Sequence, residues 1–437
     1  MTAPRRILLV DADAFFVAVA RQEDPEGAGR ATLLIVGGRP GSRGVVCSAS
    51  YECRAYGVRS AMPISRALAL CPDAMCVPVP RGACSARSRE IQGVLARFSP
   101  VVQASSIDEW YCDLGGTEAL YQHEPLRVTA HRIREAVFEA TGLNVSIGGG
   151  TSRLVAKMAV EVAKPKPGSG ADGVHCVDPG AEAQFLSRFA LADLPMVGPR
   201  LAEKLARMGL ERVHDAQGWS EEALVSRLGD RAGRWLAQRV HGIDESIVTP
   251  RDRQKQVSRE DTFARDINDD EVLERELLRL AVRVSADLRR QALRARTVAV
   301  KVKDTAFRSR TAQRTLSSFI ESEKSVLKAA RPLLRQLRRK QKAPLRLLGI
   351  ALSHFDDEPG AGERTATQLG LFGAELPPVA AGSSADSGAP AQEPTESPKD
   401  RALTRALDRI RDRYGSGAIL PASLVDPAQD TGPRVEE

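Results

Sequence analysis

The sequence predicts an α+β protein built of several domains. Its 437 residues exceed what one compact core usually holds and suit two to four domains. Short apolar runs alternate with stretches of helical periodicity over residues 5–175, and a mixed pattern of the same kind returns over residues 254–356. Between these two parts, residues 177–248 form short helical segments punctuated by glycine.

The composition is that of a globular protein, with 42% hydrophobic and 27% charged residues. No apolar run approaches the roughly 18 residues that a membrane span needs. The seven cysteines are scattered without a CxxC pair, which argues against a disulfide framework and against structural zinc. We therefore expect a soluble, cytoplasmic protein without a membrane partner.

The first part carries the pattern of buried strands and amphipathic helices. Residues 7–10 and 33–36 are continuous apolar runs, typical of strands covered on both faces. Further strands are predicted at 45–48, 101–104 and 144–147, and helices at 126–140 and 152–163. Such elements can form a split βαβ, ferredoxin-like core.

The glycine-punctuated part predicts a small helical domain. A tight turn at Gly198 leads into a helix whose exposed N–H groups are suited to a phosphate oxygen. A second unit of this kind spans residues 228–244. A helical domain that only packs is the alternative.

Positive charge is concentrated in one region. Residues 251–350 hold 26 Lys or Arg against 13 Asp or Glu, a net charge of +13 within a chain of net +7. Residues 296–303 alternate with period two, so that Thr297, Ala299, Lys301 and Lys303 share one face. Beside the basic helices predicted at 271–293 and 323–340 and an apolar strand at 345–352, this face is suited to tracking phosphates. A solvated charged surface is the alternative.

Two acidic signals indicate metal chemistry. Asp11 and Asp13 follow the first buried strand at a spacing that points both side chains to one side. Burying unpaired carboxylates is costly, so a cation is their natural partner, and oxygen ligands without His or Cys favour Mg²⁺. An isolated Asp-x-Asp is a weak signal, because capping or ion-paired aspartates explain most instances.

The second signal is the adjacent pair Asp108 and Glu109 after the strand at 101–104. Neighbouring carboxylates on a regular strand point to opposite faces, so both serve one site only at a turn or a bulge. With Asp11 they supply the three carboxylates of a centre for two Mg²⁺ ions. One ion would activate an attacking hydroxyl and the other would steady a triphosphate leaving group.

Four motifs in order resemble those of the Y-family DNA polymerases of the polymerase IV (DinB) type. They are VDADAFF at 10–16, ASYECRAYGVRSAMP at 49–63, SSIDEWYCD at 105–113, and the basic stretch VSREDTFARDI with VAVKVKDTAFRSRT between 257 and 311. The resemblance runs from about residue 5 to 355. It implies template-directed addition of dNTPs to a primer 3′-OH, with low fidelity and translesion synthesis.

The resemblance also implies a right-hand-like architecture. Its ferredoxin-like palm is expected at 1–15 and 81–176, small fingers at 16–80, a helical thumb with helix–hairpin–helix units at 177–248, an α/β little finger at 254–356 and a flexible tail at 357–437. The expected partners are primer–template DNA, a dNTP and a sliding clamp, and the protein is expected to be a monomer.

Site residues follow from the same motifs. The resemblance implies metal binding by Asp11, Asp108, Glu109 and the carbonyl of Ala12, with the three carboxylates also catalytic. It implies nucleotide binding by Phe15, Phe16, Tyr51, Arg54 and Lys164, with Phe16 as the steric gate against a ribose 2′-OH.

The tail carries a short apolar motif. Gln368, Leu369, Leu371 and Phe372 resemble the peptide that bacterial replication proteins insert into the sliding clamp. Apolar residues in a polar, Pro- and Gly-rich segment have no evident core to join, which favours docking on a partner. A chance apolar island in a linker is the alternative.

The sequence departs from the family pattern at Trp110, where a small residue is usual, and at Met196, where the first hairpin glycine is expected.

Two rival functions remain open from the residues. A catalytically silent Y-family scaffold for DNA would be expected to lack the carboxylates that this chain keeps. A nucleotide-sugar transferase, which also uses Asp-x-Asp, leaves the basic region unexplained.

Overall fold

The chain divides into two compact units, Met1–Asp252 and Arg253–Glu437, which are described separately. The structure is a computed structural model. It describes residues 4–165, 170–250, 254–340, 342–356, 396–415, 418–419, 421 and 424. The predicted clamp motif at 368–372 lies outside the described residues.

The first unit contains two sheets and a helical region. Its strands are β1 Ile7–Ala12, β2 Leu34–Gly37, β3 Val46–Ala49, β4 Met75–Pro78, β5 Val101–Ala104, β6 Glu109–Asp113, β7 Val145–Gly150 and β8 Val174–Cys176. Its helices are α1 Phe15–Glu23, α2 Tyr51–Ala55, α3 Ile64–Leu70, α4 Arg81–Leu95, α5 Leu126–Thr141, α6 Arg153–Ala163, α7 Glu182–Ser187, α8 Pro199–Ala206, α9 Val213–Gln217, α10 Glu221–Leu228 and α11 Asp230–Val240.

The strand β1 lies at the centre of a five-stranded sheet in the order β5-β6-β1-β7-β8. It is antiparallel to both of its neighbours, β6 and β7. Leu8 and Val10 pack in the core with α4 and α5, whereas Ile7 and Leu9 pack against α6. This burial on both faces explains the continuous apolar run. Since side chains alternate, Asp11 follows on the face that α6 covers.

A glycine lets α6 approach that sheet closely. A Cβ atom on Gly148 of β7 would lie 2.2 Å from the carbonyl oxygen of Ala156 and 2.2 Å from the amide nitrogen of Val160. The backbone of α6 therefore packs directly on β7, and this contact fixes the height of every α6 side chain above the sheet.

The second sheet, β3-β2-β4, supports the short helix α2. Ser50 caps this helix, because its hydroxyl accepts the Cys53 N–H at 3.3 Å and donates to the carbonyl of Thr32 at 3.0 Å. The cap ties the first turn of α2, with Tyr51 and Arg54, to the segment that enters β2.

The helical region has a strained turn before α8. Met196 adopts a left-handed conformation (φ 73°) with its side chain 80% exposed, and Gly198 caps the helix. The left-handed region is the one in which the expected glycine is most stable, so Met196 carries a conformational cost there.

The second unit is an antiparallel sheet covered by two long helices, with a third helix from the end of the chain. Its strands are β9 Gln256–Ile267, β10 Ala295–Asp304, β11 Ser309–Ile320 and β12 Leu345–Phe355, in the order β11-β10-β12-β9. Its helices are α12 Asp270–Arg290, α13 Glu323–Lys340 and α14 Pro398–Tyr414. The two units together show the mixed α and β content that the sequence predicts.

The alternation predicted for β10 is confirmed. Val298, Val300 and Val302 are buried against the helices, whereas Lys301 and Lys303 are half-buried on the opposite face. On that outer face Lys301 forms an ion pair with Glu260 of β9 at 3.0 Å.

The helix α14 packs on the second unit through buried charges. Arg289, whose side chain is only 6% exposed, donates to Asp408 at 2.8 Å. The carboxylate of Glu396, just before α14, accepts the N–H of Ser322 at 2.6 Å, at the start of α13. This segment falls within the flexible tail expected from the sequence at 357–437, and the docking of α14 was not predicted. In the described part of the chain, no helix is long and apolar enough to cross a membrane.

We predict that Gly148→Ala destabilises the first unit by about 1–3 kcal/mol, because the added methyl group overlaps backbone atoms of α6 that cannot move independently. The free energy of unfolding from denaturant titration measures the change. Gly93→Ala is the matched control, since Gly93 lies on α4 with no atom within 4 Å of an added Cβ. Alanine there should stabilise the helix by up to ~1 kcal/mol. Equal effects of the two changes would contradict the packing described for α6.

Candidate active site

Asp11 is a carboxylate buried at the end of the central strand. Its residue surface is 8% exposed, and it lies opposite Glu109 in the register of β1 and β6. Burial raises the pKa of Asp11 to about 7, and Glu109 adds to this rise while Lys164 opposes it. The ammonium group of Lys164 lies 3.0 Å from Asp11 Oδ2. The site thus holds a carboxylate that needs a cation to stay ionised at neutral pH.

Asp108 and Glu109 meet the geometric condition that the sequence sets. Asp108 lies in the bend before β6, where its carbonyl accepts the N–H of Ala12 at 2.9 Å and Ser106 donates to its carboxylate. Glu109 is the first residue of β6. Because Asp108 lies in the bend and Glu109 begins the strand, the two adjacent side chains both line one cavity.

Two lysines at α6 contact these carboxylates. Lys157 Nζ lies 2.5 Å from Glu109 Oε1. Lys164, just after the helix, contacts Asp11 and also Glu161 at 2.8 Å. Burial lowers the pKa of Lys164, but Asp11 and Glu161 outweigh burial, and the net pKa is raised. Lys164 is therefore a firm positive charge.

Asp13 lies in the same cavity wall with its own partners. Ser146 Oγ donates to Asp13 Oδ1 at 2.7 Å, and the Asp13 N–H donates to the carbonyl of Asn144 at 3.0 Å. Burial raises the pKa of Asp13, while the hydrogen bond from Ser146 and the charge of Lys164 lower it. These bonds fix the chain where it leaves β1 and enters α1.

The two phenylalanines that follow have different environments. Phe15 is 2% exposed and belongs to the core of the sheet, whereas Phe16 is half-buried beside the cavity. Their ring centres are 5.6 Å apart in an edge-to-face arrangement. Phe15 thus supports Phe16 from behind and limits how far that ring can retreat.

Tyr51 and Arg54 face the carboxylates from α2. The Arg54 guanidinium lies 5.0 Å from the centre of the Tyr51 ring, and its Nε donates to the carbonyl of Ala49 at 3.0 Å. Burial raises the pKa of the Tyr51 hydroxyl, and Asp13 adds to this. The anchored guanidinium is a planar donor fork suited to phosphate oxygens.

All site residues that the sequence predicts in the first unit line one cavity of about 220 Å³. They are Asp11, Ala12, Phe15, Phe16, Tyr51, Arg54, Asp108, Glu109 and Lys164. The wall also contains Asp13, Ala14, Cys47, Ser48 and Ser60. Carboxylates thus face an arginine, a lysine and a tyrosine hydroxyl across a space of small-molecule size.

The donor set of this cavity suits a hard divalent ion, because carboxylate and carbonyl oxygens predominate in it, no His lines it and Cys47 is its single thiol. Among the described residues, no three His, Cys, Asp or Glu side chains are arranged so as to hold a metal. Instead, the ammonium groups of Lys157 and Lys164 contact Glu109 and Asp11. The carboxylates are thus engaged by cations of the chain itself.

Sequence reasoning did not identify Lys157, Glu161 or Ser146 as part of the site. The spacing of charged residues in the sequence could have identified Lys157 and Glu161. Lys157, Glu161 and Lys164 recur at i, i+4 and i+7, on one face of an otherwise apolar helix. Charged residues in that pattern beside acidic strand ends indicate ion pairs with those strands.

Two family models match the chain. The impB/mucB/samB family model matches residues 10–161, and the model of its C-terminal domain matches residues 254–370. The first match contains Asp11, Asp108 and Glu109, and the second covers the sheet of the second unit.

Relatives and a solved structure agree with these matches. DNA polymerase IV of Methanoculleus marisnigri is 37% identical over 81% of this chain and 96% of its own length. DNA polymerase IV 2 of Agrobacterium fabrum is 35% identical over 84% and 99%. A Y-family DNA polymerase chimera of known structure, 22% identical, has the same fold with a TM-score of 0.70 over 80% of this chain and 99% of that chain. The chain belongs to the Y family of DNA polymerases, of the DNA polymerase IV type, and is a DNA-directed DNA polymerase.

Proposed function

We propose that this polymerase acts in translesion synthesis, extending a primer by a two-metal mechanism with low fidelity. The observation that carries the proposal is the single cavity where acidic strand ends face Arg54 and Lys164. The nucleotide side of that cavity rests on a small element, with β2, β3 and β4 of four residues each and α2 of five. A small element makes few contacts to a templating base, which suits a damaged template.

The metal-binding role falls to Asp11, Asp108, Glu109 and the carbonyl of Ala12. Two Mg²⁺ ions bound there supply Lewis-acid activation of the primer 3′-OH and charge neutralisation for the triphosphate. The buried position of Asp11 supports this role, because burial disfavours its charged form and raises its pKa, so that a cation bound there stabilises the carboxylate. Glu109, on the neighbouring strand, supplies a carboxylate at the same end of the sheet.

The nucleotide is held from the opposite wall. Arg54 offers a planar fork and Lys164 a compact charge for the triphosphate, with the Tyr51 hydroxyl beside them. Lys164 already shares its charge between Asp11 and Glu161, so an arriving triphosphate competes with these carboxylates for it. Phe16 occupies the space that a ribose 2′-OH would need.

The second unit is proposed to hold the primer–template duplex. The outer face of its sheet presents mostly small side chains around two lysines. Lys301 pairs with Thr311 and Gly349, and Lys303 pairs with Ser309 and with the larger Leu347. Small side chains let a phosphate backbone approach closely, and lysines attract it without reading bases.

The rival functions receive less support. A catalytically silent scaffold has no need for Asp11, Asp108 and Glu109 in one cavity, yet this chain keeps them there. The nucleotide-sugar transferase is excluded by the family. The cytoplasmic location and the monomeric state stay predictions.

We expect Asp108→Asn to lower primer extension about a thousandfold and to leave the affinity for primer–template nearly unchanged. A lost metal ligand costs several kcal/mol of transition-state stabilisation, at ~1.4 kcal/mol per tenfold in rate. Asp113→Asn is the control. Asp113 ends the strand β6 that follows Asp108 and lies outside the cavity, and its Oδ1 accepts the Gly115 N–H, a bond that Asn can keep. Near-normal turnover by Asp108→Asn would remove the metal assignment.

The same assay tests the lesion proposal. The unmodified protein, with Mg²⁺ and dNTPs, should extend a primer past an abasic site. A product that always ends before the lesion would leave the polymerase activity in place but remove translesion synthesis.

Phe16→Ala should admit ribonucleotides, because the ring that blocks the 2′-OH is lost while Phe15 still packs in the core. The ratio of kcat/KM for dNTP over that for rNTP should fall at least tenfold, about 1.4 kcal/mol of discrimination. Phe138→Ala on α5 is the control, as this ring is 50% exposed and outside the cavity. If the ratio for Phe16→Ala equals that of the parent, another residue is the gate.

The tail motif is proposed to bind the sliding clamp. Replacing Leu371 and Phe372 with Ala should leave extension by the free enzyme unchanged and abolish both clamp binding and stimulation by the clamp, because the apolar anchors are lost. Replacing Leu376 and Val379 with Ala is the control within the same tail. Clamp stimulation that survives the first pair of changes would reduce the motif to a linker feature.

A further inference from the structure

Lys157 has a position that the proposed roles do not use. It projects from α6 to Glu109, with Nζ and Oε1 2.5 Å apart and side chains 28% and 24% exposed. Glu109 and Lys164 line the cavity, whereas Lys157 contacts Glu109 without lining it. A lysine placed there contacts the carboxylate without facing the nucleotide.

We propose that Lys157 is a positioning residue that partly neutralises Glu109 and thereby weakens metal binding until a nucleotide arrives. This inference rests on the proposed metal-binding role of Glu109. The carboxylates of Asp11, Asp13, Asp108 and Glu109 surround the cavity, and Arg54, Lys157 and Lys164 offset most of their charge. The site without nucleotide is therefore nearly balanced and has little excess charge to attract a divalent ion.

The two lysines differ in what can release them. Lys164 lines the cavity, so a triphosphate can draw it away from Asp11. Lys157 does not line the cavity, so a triphosphate bound there would not draw it directly away from Glu109. A divalent ion on Glu109 shares that carboxylate with the ammonium, and the two cations repel each other. The negative charge of a triphosphate offsets this repulsion, so the metal binds well only together with the nucleotide.

The experiment measures Mn²⁺ binding to the full-length protein without DNA or nucleotide, by electron paramagnetic resonance of free Mn²⁺. We expect Lys157→Gln to bind Mn²⁺ at least fivefold more tightly than the parent. Gln keeps a hydrogen-bond donor for Glu109 but removes the charge. Lys157→Arg keeps the charge and should bind as the parent does. Lys204→Met, an exposed lysine on α8, is the control for loss of any positive charge.

A purely structural role for Lys157 would give a different result. If Lys157 only held Glu109 in place, its replacement would loosen Glu109. The Gln and Arg variants would then both bind Mn²⁺ as weakly as the parent or more weakly. Either outcome would overturn the proposal. If Lys157→Gln does not fold, as judged by circular dichroism, Lys157→Met and the Arg variant still decide between charge and structure. A Met variant that also unfolds would show that the lysine holds the fold and would overturn the tuning role.

The failure of this inference can be told apart from the failure of the proposed function. Suppose that the parent binds Mn²⁺, that Asp108→Asn abolishes this binding and that Lys157→Gln leaves it unchanged. This result contradicts only the role of Lys157. Mn²⁺ binding that is indifferent to Asp108→Asn removes the metal site, and the inference falls with it.

Discussion

The burial of Asp11 at the end of β1 is the constraint on which the rest of the site depends. Because β1 is covered on both faces, this carboxylate is removed from bulk water, and burial raises its pKa to about 7. A negative charge in that place needs a cation at short range. The close packing of α6 on Gly148 brings Lys157 and Lys164 to that range, and the bend at Asp108 adds a further carboxylate. A divalent ion would bind these same carboxylates in competition with the two lysines.

The parts of the fold that the sequence predicts best are those where burial imposes a strong pattern. The sequence predicts β1 from its continuous apolar run and α13 as a basic helix, and α13 has the predicted bounds, Glu323–Lys340. The edge strands β9 and β11 were not predicted as strands. Both lie at an edge of the sheet, where few of their residues are buried, so their apolar period is weak. The role of Lys157 was missed for another reason. Its helical spacing was visible, but its partner Glu109 is 48 positions away in the chain, so the sequence does not show which residue it contacts.

The helix α14 shows that amino-acid composition alone does not predict whether a segment packs on the rest of the protein. Charged segments with few apolar residues are expected to stay solvated, and α14 is such a segment. Its docking depends on Arg289, which is nearly buried and reaches both Asp408 and the carbonyl of Glu321. A buried guanidinium without partners would be costly, so the helix that supplies Asp408 stabilises the unit by satisfying it. Such pairing is visible only when both elements are placed in space.

Charge in the second unit serves two purposes, and the structure separates them. Arg283 pairs with Asp261, Arg335 with Glu274 and Arg338 with Asp270, and each pair joins a helix to a strand or to another helix. Yet residues 251–350 contain twice as many basic as acidic residues, so ion pairs within the region cannot neutralise all of its basic side chains. The excess gives the unit a long-range attraction for a polyanion, while small side chains on the outer face of the sheet permit close approach. Neither the excess positive charge nor the small side chains distinguish one DNA base from another. A surface of this kind would hold DNA of any sequence equally well, which suits a DNA-directed DNA polymerase.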